Sequence, residues 1–404
     1  MQFFAQSEKS FTRNRKLNLT DLIGLICSFA ANRNRSGYDI SSQQYFARQD
    51  LTEATARRSS ITEARSKLSF EAFIYLLERL NEKAPEERWN GLRVFAVDGS
   101  RITLPHAKEV LKKFVANNNT HYPKGLLVCA TNVLTGVVRS ASISEEYGSE
   151  RAALIKLSES FRDNDLLLLD RGFEGFETWK SLNERGIKFI CRARSAGALS
   201  HEVREFVESG KKESVVELNQ NDKALQVRLI RGRNDYKGRP LVLVTNLLDT
   251  KKFKTKEIRK TYLKRWKIET SYYRVKELMS LENFHAKTLN GVLQEIWANL
   301  FVLSMTLMLA WRASQNLPDQ NDRRRINFKN ALECVSVNIH FFVRAKIKGI
   351  RRWAKVIMES IKAITFVHQP GRKNARISKQ PMSTWIGSRK NRCTERYKKK
   401  RGIW

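Results

Sequence analysis

From Arg93 onward the chain alternates short apolar runs with longer amphipathic stretches, and this alternation predicts a mixed α/β sheet. RVFAVDGSRITL, GLLVCATNVLTGVVRSASI with a turn near Leu134 to Gly136, DLLLLDRGF and IKFICRAR are β-rich runs bounded by turn residues. Between them SERAALIKLSESF and FETWKSLNERG carry the helical period. Three further strand-like runs, ESVVEL, ALQVRLIRGR and RPLVLVTNL, predict a small β insertion over residues 195–250, set apart from the layers on either side. TKEIRKTYLKRWKIETSYYRVKELM has neither Gly nor Pro and predicts one continuous helix of about 25 residues. LNGVLQEIWANLFVLSMTLMLAW predicts the next helix, apolar enough to be buried.

Before Arg93 the pattern is helical. In SSITEARSKLSFEAFIYLLERL, Ser60 with Glu63 has the spacing of a capping box, and Ser69 is placed to cap a second helix running to about Asn81. SSQQYFARQDLTEATARR supplies another short amphipathic segment. Short helices on a basic background suit a helix-turn-helix-like DNA contact domain, and equally a plain helical cap. Two apolar stretches need separating from membrane signals. Leu22 to Ala31 keeps helical spacing behind Thr20 or Asp21 as caps, which favours a soluble helix. Ile296 to Trp311 has sixteen uncharged residues, too few to span a bilayer, and is expected to be a core helix.

Charge then narrows the partner. The 404 residues carry 75 Lys plus Arg against 41 Asp plus Glu, a formal net charge of +34, while 41% hydrophobic content supplies material for a core. A pI near 10.2 on a folded chain implies a polyanionic partner, nucleic acid before a membrane surface. Residues 316–404 hold 23 Lys or Arg against 5 Asp or Glu, and the stretch from Gln369 onward is expected to be a disordered basic tail. The five cysteines and six histidines are scattered, so neither a disulfide framework nor a zinc site has support. No GxxxxGK[ST] loop is present, and nucleotide hydrolysis is not indicated.

The candidate chemistry lies in acids that follow apolar runs. Asp98 follows VFAV and precedes Gly99, which puts a carboxylate in or just past the middle of a strand; alone, the Asp-Gly pair is most simply a turn. Asp170 ends the run LLLL, where a carboxylate at the carboxyl end of a strand either caps an Asx turn or faces a ligand. Adjacent strands would bring both acids to one edge of the sheet. On the long helix Tyr262, Glu269 and Lys276 are seven residues apart, so they drift only about 20° per step and share a face, with Arg265 on the neighbouring stripe. A solvated face with i,i+4 ion pairs accounts for Lys264 and Lys267, but not for Tyr262 and Trp266 beside the acid. Three carboxylates converging in a basic protein point to Mg2+ and phosphodiester chemistry by a two-metal route.

With these residues in place, the sequence resembles the DDE transposases of bacterial insertion sequences, specifically the insertion-sequence-four family. The family's Y-x2-R-x3-E-x6-K signature is matched by Tyr262, Arg265, Glu269 and Lys276, and the contexts AVDGSRITLP and LLLLDRGFEGFETWKSLNERGIKFICRAR are similar to its first and second acidic motifs. The resemblance covers about residues 10 to 310.

It implies an α/β fold with an RNase H-like catalytic core, a mixed five-stranded sheet with helices, interrupted by the β-strand insertion. The domains expected are an N-terminal helical DNA-binding domain at 1–90, the core at 91–194 and 251–315, the insertion at 195–250, and a basic helical C-terminal region at 316–404 for DNA binding or dimerisation. Asp98, Asp170 and Glu269 would be the catalytic and metal-binding triad for two Mg2+ ions, with Mn2+ as substitute. Tyr262, Arg265 and Lys276 would hold phosphates near the transposon end, with Trp266 close to the DNA. The family's hairpin route uses an aromatic side chain to receive a flipped base; residues 195–250 contain no Trp, which leaves Tyr236 for that role. The implied activity is cut-and-paste cleavage and strand transfer of double-stranded DNA, at transposon ends and target, by a homodimer in a synaptic complex. A cytoplasmic, nucleoid-associated protein with no membrane and no nucleotide cofactor is expected. The alternatives are an inactive DNA-binding protein derived from a transposase and a structure-specific nuclease on the same fold.

Overall fold

The apolar runs assemble into one eight-stranded mixed sheet in the computed structural model. The structure describes residues 4–7, 10–12, 17–31, 38–48, 56–115, 121–194, 200–234, 238, 240–317, 324–344 and 347–369. Tyr236 and the basic tail from 370 onward lie outside the described residues. Residues 1–366 pack as one unit; of a second, residues 367–404, only 367–369 are described.

Four helices come first: α1 (Leu19–Ala31), α2 (Tyr38–Ala47), α3 (Arg58–Ser66) and α4 (Glu71–Asn81). Next come β1 (Arg93–Thr103), α5 (Lys108–Lys113), the hairpin β2 (Lys124–Asn132) and β3 (Val138–Glu145), α6 (Glu150–Leu157), β4 (Asp165–Leu169), α7 (Phe176–Glu184) and β5 (Lys188–Ala193). Then follow α8 (His201–Glu208), β6 (Glu213–Gln220), β7 (Lys223–Asn234) and β8 (Pro240–Thr245). The remaining helices are α9 (Thr255–Leu263), α10 (Lys267–Tyr273), α11 (Leu289–Gln315), α12 (Phe328–Arg344) and α13 (Ile347–Ala363).

The strand order is β3-β2-β1-β4-β5-β8-β7-β6. β1 runs antiparallel to β2 and parallel to β4, and β4 runs parallel to β5. Both faces are covered, which is why β1 and β4 are continuous apolar runs rather than alternating ones. Val94, Ala96, Leu166 and Leu168 enter a core shared with α1, α4, α11 and α12. Phe95, Val97, Leu167 and Leu169 enter a second core with Leu154 of α6, Trp179 of α7 and Phe206 of α8.

The structure corrects several local expectations. The sheet has eight strands, not five, because the insertion does not stand apart: β8 pairs antiparallel with β5 and β7 with β8, extending the sheet edge. Strand pattern in sequence identifies a strand but not its partner. Arg228, 1% exposed, fastens this extension by donating to Glu213 and Thr255 side chains and to the Phe253 carbonyl at 2.7 Å. The insertion also contains α8, capped by Ser200, where only strands were expected. Ser60 lies inside α3 instead of capping it, since the helix begins at Arg58. α1 starts at Leu19, and its cap is Asn18, whose Oδ1 accepts from the Asp21 amide at 2.9 Å. Asp98-Gly99 makes no turn; β1 runs straight through it to Thr103, held by β2 on one side.

Among the described residues α11 is the helix long and apolar enough to raise a membrane question, and 89% of its apolar window is buried inside the protein. Two of its buried polar positions are paired: Ser304 Oγ accepts from the Val138 amide at 3.1 Å, and Glu295 meets Arg65 of α3 at 2.7 Å. α1 is fastened to α12 by Arg344, which donates to both carboxylate oxygens of buried Asp21 at 2.7 and 2.6 Å.

Candidate active site

Two acids reach the same level of the sheet. Along the β1–β4 ladder Arg93 pairs with Asp165 and Ala96 with Leu168, an offset of 72 residues, and Asp98 and Asp170 are separated by the same 72. They therefore sit side by side just past the parallel β1–β4 ladder, Asp98 midway along β1 and Asp170 at the carboxyl end of β4, where open α/β sheets place ligands. Each is steadied by local backbone: Asp98 Oδ1 accepts from the Gly99 amide at 3.0 Å and Asp170 Oδ1 from the Gly172 amide at 2.7 Å. The Asx turn at Asp170 and the exposure of its carboxylate to the site are thus compatible, since Asp170 caps the short 3-10 turn Arg171–Phe173 with one oxygen.

The segment 255–279 crosses this edge, and it is not one regular helix. α9 passes through a 3-10 turn at Lys264–Trp266 into α10, which widens into a π turn at Arg274–Leu278. Over-winding and under-winding of this kind arise where tertiary contacts pin a helix at separate points, and π turns gather at functional sites. Two tyrosines do the pinning. The Tyr262 hydroxyl donates to the carbonyl of Leu169, next to Asp170, at 3.2 Å. The Tyr272 hydroxyl lies 2.6 Å from the Asp98 carbonyl and 2.9 Å from that of Leu127, and accepts from the Cys129 amide at 3.0 Å. Glu269 is thereby held on a helix bolted to the strand of Asp98.

Arg265 stands between the acids, 3.9 Å from Asp98 Oδ2 and 3.3 Å from Glu269 Oε1. Its Nε is buried with no acceptor, and its guanidinium lies 5.3 Å over the ring of Trp266, itself 58% exposed. Lys276 donates from Nζ to the carbonyl of Arg101 on β1. The seven residues singled out from sequence therefore gather around one sheet edge, with Tyr262 spent on anchoring and Glu269 turned toward Arg265.

Residues 89–305, more than half of the chain, match the family described as Transposase DDE domain. The chain belongs to the DDE transposases of insertion sequences. The transposase is 25% identical over 324 residues to Transposase InsG for insertion sequence element IS4 of Escherichia coli (strain K12), a match covering 74% of this chain and 72% of InsG. Among solved structures, the piggyBac transposase synaptic complex with hairpin DNA aligns over 88% of this chain and 77% of that one, with a TM-score of 0.44 and 10% identity.

The electrostatics of the transposase site centre on crowded carboxylates. Burial pushes Asp98 up to about 6; Arg265 opposes the rise, and Asp170 and Glu150 add to it. Burial likewise raises Glu150, helped by Asp170 and opposed by Arg101. Hard carboxylate oxygens at one level, with Asp170 raising the proton affinity of both Asp98 and Glu150, form the donor chemistry that a divalent cation such as Mg2+ takes and whose repulsion it cancels. Among the described residues no three acidic, imidazole or thiol groups close on one point, so for Glu269 to join Asp98 and Asp170 it has to leave Arg265.

Sequence reasoning missed two residues of this transposase site. Tyr272 carried a signal, since it lies three residues after Glu269 on the apolar stripe of Ile268 and Val275. Glu150 carried only its place at the start of an amphipathic segment, and nothing local marks which way a first-turn acid points.

Proposed function

We propose that this transposase binds the ends of its insertion sequence, cleaves double-stranded DNA there and joins the freed ends to target DNA. The catalytic core is RNase H-like, a reading supported by the contiguous order β3-β2-β1-β4-β5 with a β1–β3 meander and parallel β4 and β5. The observation that carries the proposal is the register match of Asp98 and Asp170 at the sheet edge, with Glu269 brought across from α10. Asp98, Asp170 and Glu269 would hold Mg2+, or Mn2+ in its place, which when bound activates an attacking oxygen and stabilises the leaving one.

The chain's own residues have distinct tasks. The Gly99 and Gly172 amides orient the two aspartates, and Tyr272 sets the spacing between the helix of Glu269 and the strand of Asp98. Arg265 neutralises the acids before substrate arrives, and its unpaired Nε is available to a phosphate once Glu269 turns away. Lys276 offers a point charge at the same edge, and exposed Trp266 an apolar face for a sugar or base. Tyr262 acts through Leu169, steadying the approach to Asp170. The helices of residues 1–90 and the basic region 316–404 supply further DNA contacts, and synapsis of two ends calls for a homodimer on DNA.

The test is a cleavage and strand-transfer assay on labelled duplexes carrying the element's native ends, in Mg2+, with wild type, Asp98→Asn and Glu269→Gln. Wild type should give nicked and joined products, and both variants should give neither while still shifting the DNA. Variants that cut as well as wild type would remove the triad from the mechanism. Cutting without joining would favour a nuclease, and binding without either would favour a DNA-binding relic.

A further inference from the structure

A fourth carboxylate enters the site from a different element. α6 begins at Glu150, behind its cap Ser149, whose Oγ accepts from the Ala152 amide at 3.3 Å. From there the side chain reaches over the ends of both catalytic strands. A β-carbon on Gly99 would lie 2.9 Å from Glu150 Cδ, and one on Gly172 would lie 3.2 Å from Glu150 Oε2. Gly99 directly follows Asp98, and Gly172 is two residues past Asp170. The carboxylate therefore occupies a cradle that exists only because both positions lack a side chain, and the floor of that cradle is the backbone that orients the two aspartates.

A favourable helix dipole explains an acid in the first turn of α6, but not its direction. An acid there with freedom to choose would point to water, or to cationic neighbours on a surface this basic. Glu150 instead lies beside Asp170, a like charge, since a β-carbon on Gly172 would meet Asp170 Oδ1 at 3.0 Å and Glu150 Oε2 at 3.2 Å, and the cation that opposes its rise, Arg101, is also 3.8 Å from Glu146. Placing a third negative group against two others is unfavourable unless something positive is bound among them.

We propose that Glu150 is a fourth carboxylate of the metal site, a direct ligand to the cation held by Asp98 and Asp170. This rests on the metal-binding reading above and extends it to a residue outside the triad. As they stand the carboxylates of Asp98, Asp170 and Glu150 do not close on one point, so Glu150 has to swing from its cradle onto the cation as it binds, while Glu269 is still engaged by Arg265.

The measurement is Mn2+ binding to the DNA-free, full-length protein, followed by electron paramagnetic resonance. Wild type is compared with Glu150→Gln, Gly99→Ala and Asp98→Asn, and thermal unfolding is recorded with and without Mn2+. Glu150→Gln should weaken Mn2+ binding by at least about 10-fold, the loss that follows even from removing an outer partner of a metal ligand. Its metal-free melting temperature should equal or exceed that of wild type, because a repulsive contact is removed. Gly99→Ala, which pushes the carboxylate out of its cradle without touching Glu150, should weaken binding in the same direction. If Asp98→Asn loses Mn2+ while Glu150→Gln and Gly99→Ala bind it as wild type does, Glu150 is not a ligand and the proposal is overturned. If Asp98→Asn also binds as wild type, the metal reading of the aspartates has failed first.

Discussion

The contact that joins the N-terminal helices to the core can be broken by one substitution with a calculable result. Arg65 of α3 is 4% exposed and donates to Glu295 Oε1 at 2.7 Å, Gln294 Oε1 at 3.0 Å and the Gly291 carbonyl at 2.7 Å, all on α11. Arg65→Met keeps the bulk and removes the charge, leaving Glu295 buried without its cation. Breaking a buried pair in this way costs about 3–5 kcal/mol. Glu295 keeps the His285 and Ala286 amides at 2.9 and 3.0 Å, which puts the loss at the lower end, about 3 kcal/mol. For the 366-residue unit the unfolding entropy is roughly 0.8 kcal/mol/K, so the melting temperature should fall by about 4 °C at neutral pH.

The pH dependence of that loss has a definite sign. Burial alone would raise Glu295, but Arg65 and His285 outweigh it and hold the carboxyl below its ordinary value. A carboxylate depressed in the folded state stabilises fully above its unfolded value, about 4.3, and the contribution fades as pH falls through the folded value. The deficit of Arg65→Met should therefore be greatest near pH 7 and close on acidification, as the wild-type carboxylate also takes up its proton. Differential scanning fluorimetry from pH 8 down to about 3, which passes below the unfolded value, follows this directly. The double variant Arg65→Met with Glu295→Gln, which removes the buried charge and keeps an acceptor for the His285 and Ala286 amides, should recover part of the loss. A shift below about 1 °C at neutral pH, or one unchanged in acid, would refute the reasoning.

Two further outcomes follow from the site and from the charge. Tyr272→Phe should destabilise the protein by about 1–3 kcal/mol, because the Leu127 carbonyl and Cys129 amide lose a buried partner. It should also lower the cleavage rate more than the affinity for DNA; urea melts within about 0.5 kcal/mol of wild type would show that the hydroxyl anchors nothing. For duplex DNA, the affinity should fall by about 10³–10⁵ between 50 and 200 mM salt if six to ten phosphates are neutralised, as titrations by fluorescence anisotropy would record. Binding indifferent to salt would count against the electrostatic origin assigned to a net charge of +34.

Periodicity located the strands and helices of the core because both faces of the sheet must be apolar to be covered, and β1 through β5 appear where the runs predicted them. The spacing of Tyr262, Arg265, Glu269 and Lys276 behind two acids that follow apolar runs was enough to suggest the family, and the family is shown. Local pattern was blind to pairing: ESVVEL, ALQVRLIRGR and RPLVLVTNL announced strands, yet their joining of the core edge through β8 and β5 depended on contacts some 50 residues apart. It also favoured a turn at Asp98-Gly99, because a turn is what that dipeptide does alone, whereas here β2 holds it extended. The long segment 255–279 has the residues of a continuous helix, and only anchoring by Tyr262 and Tyr272 to strands β4 and β1 changes its winding. What the amino-acid order determined by itself was therefore most of the strands and helices of the core and which acids follow its apolar runs, since both depend on neighbours along the chain. What tertiary structure decided was which acids meet, that Glu269 turns to Arg265, and that Glu150 lies over Gly99 and Gly172; through-space approach of distant side chains leaves no period in a sequence.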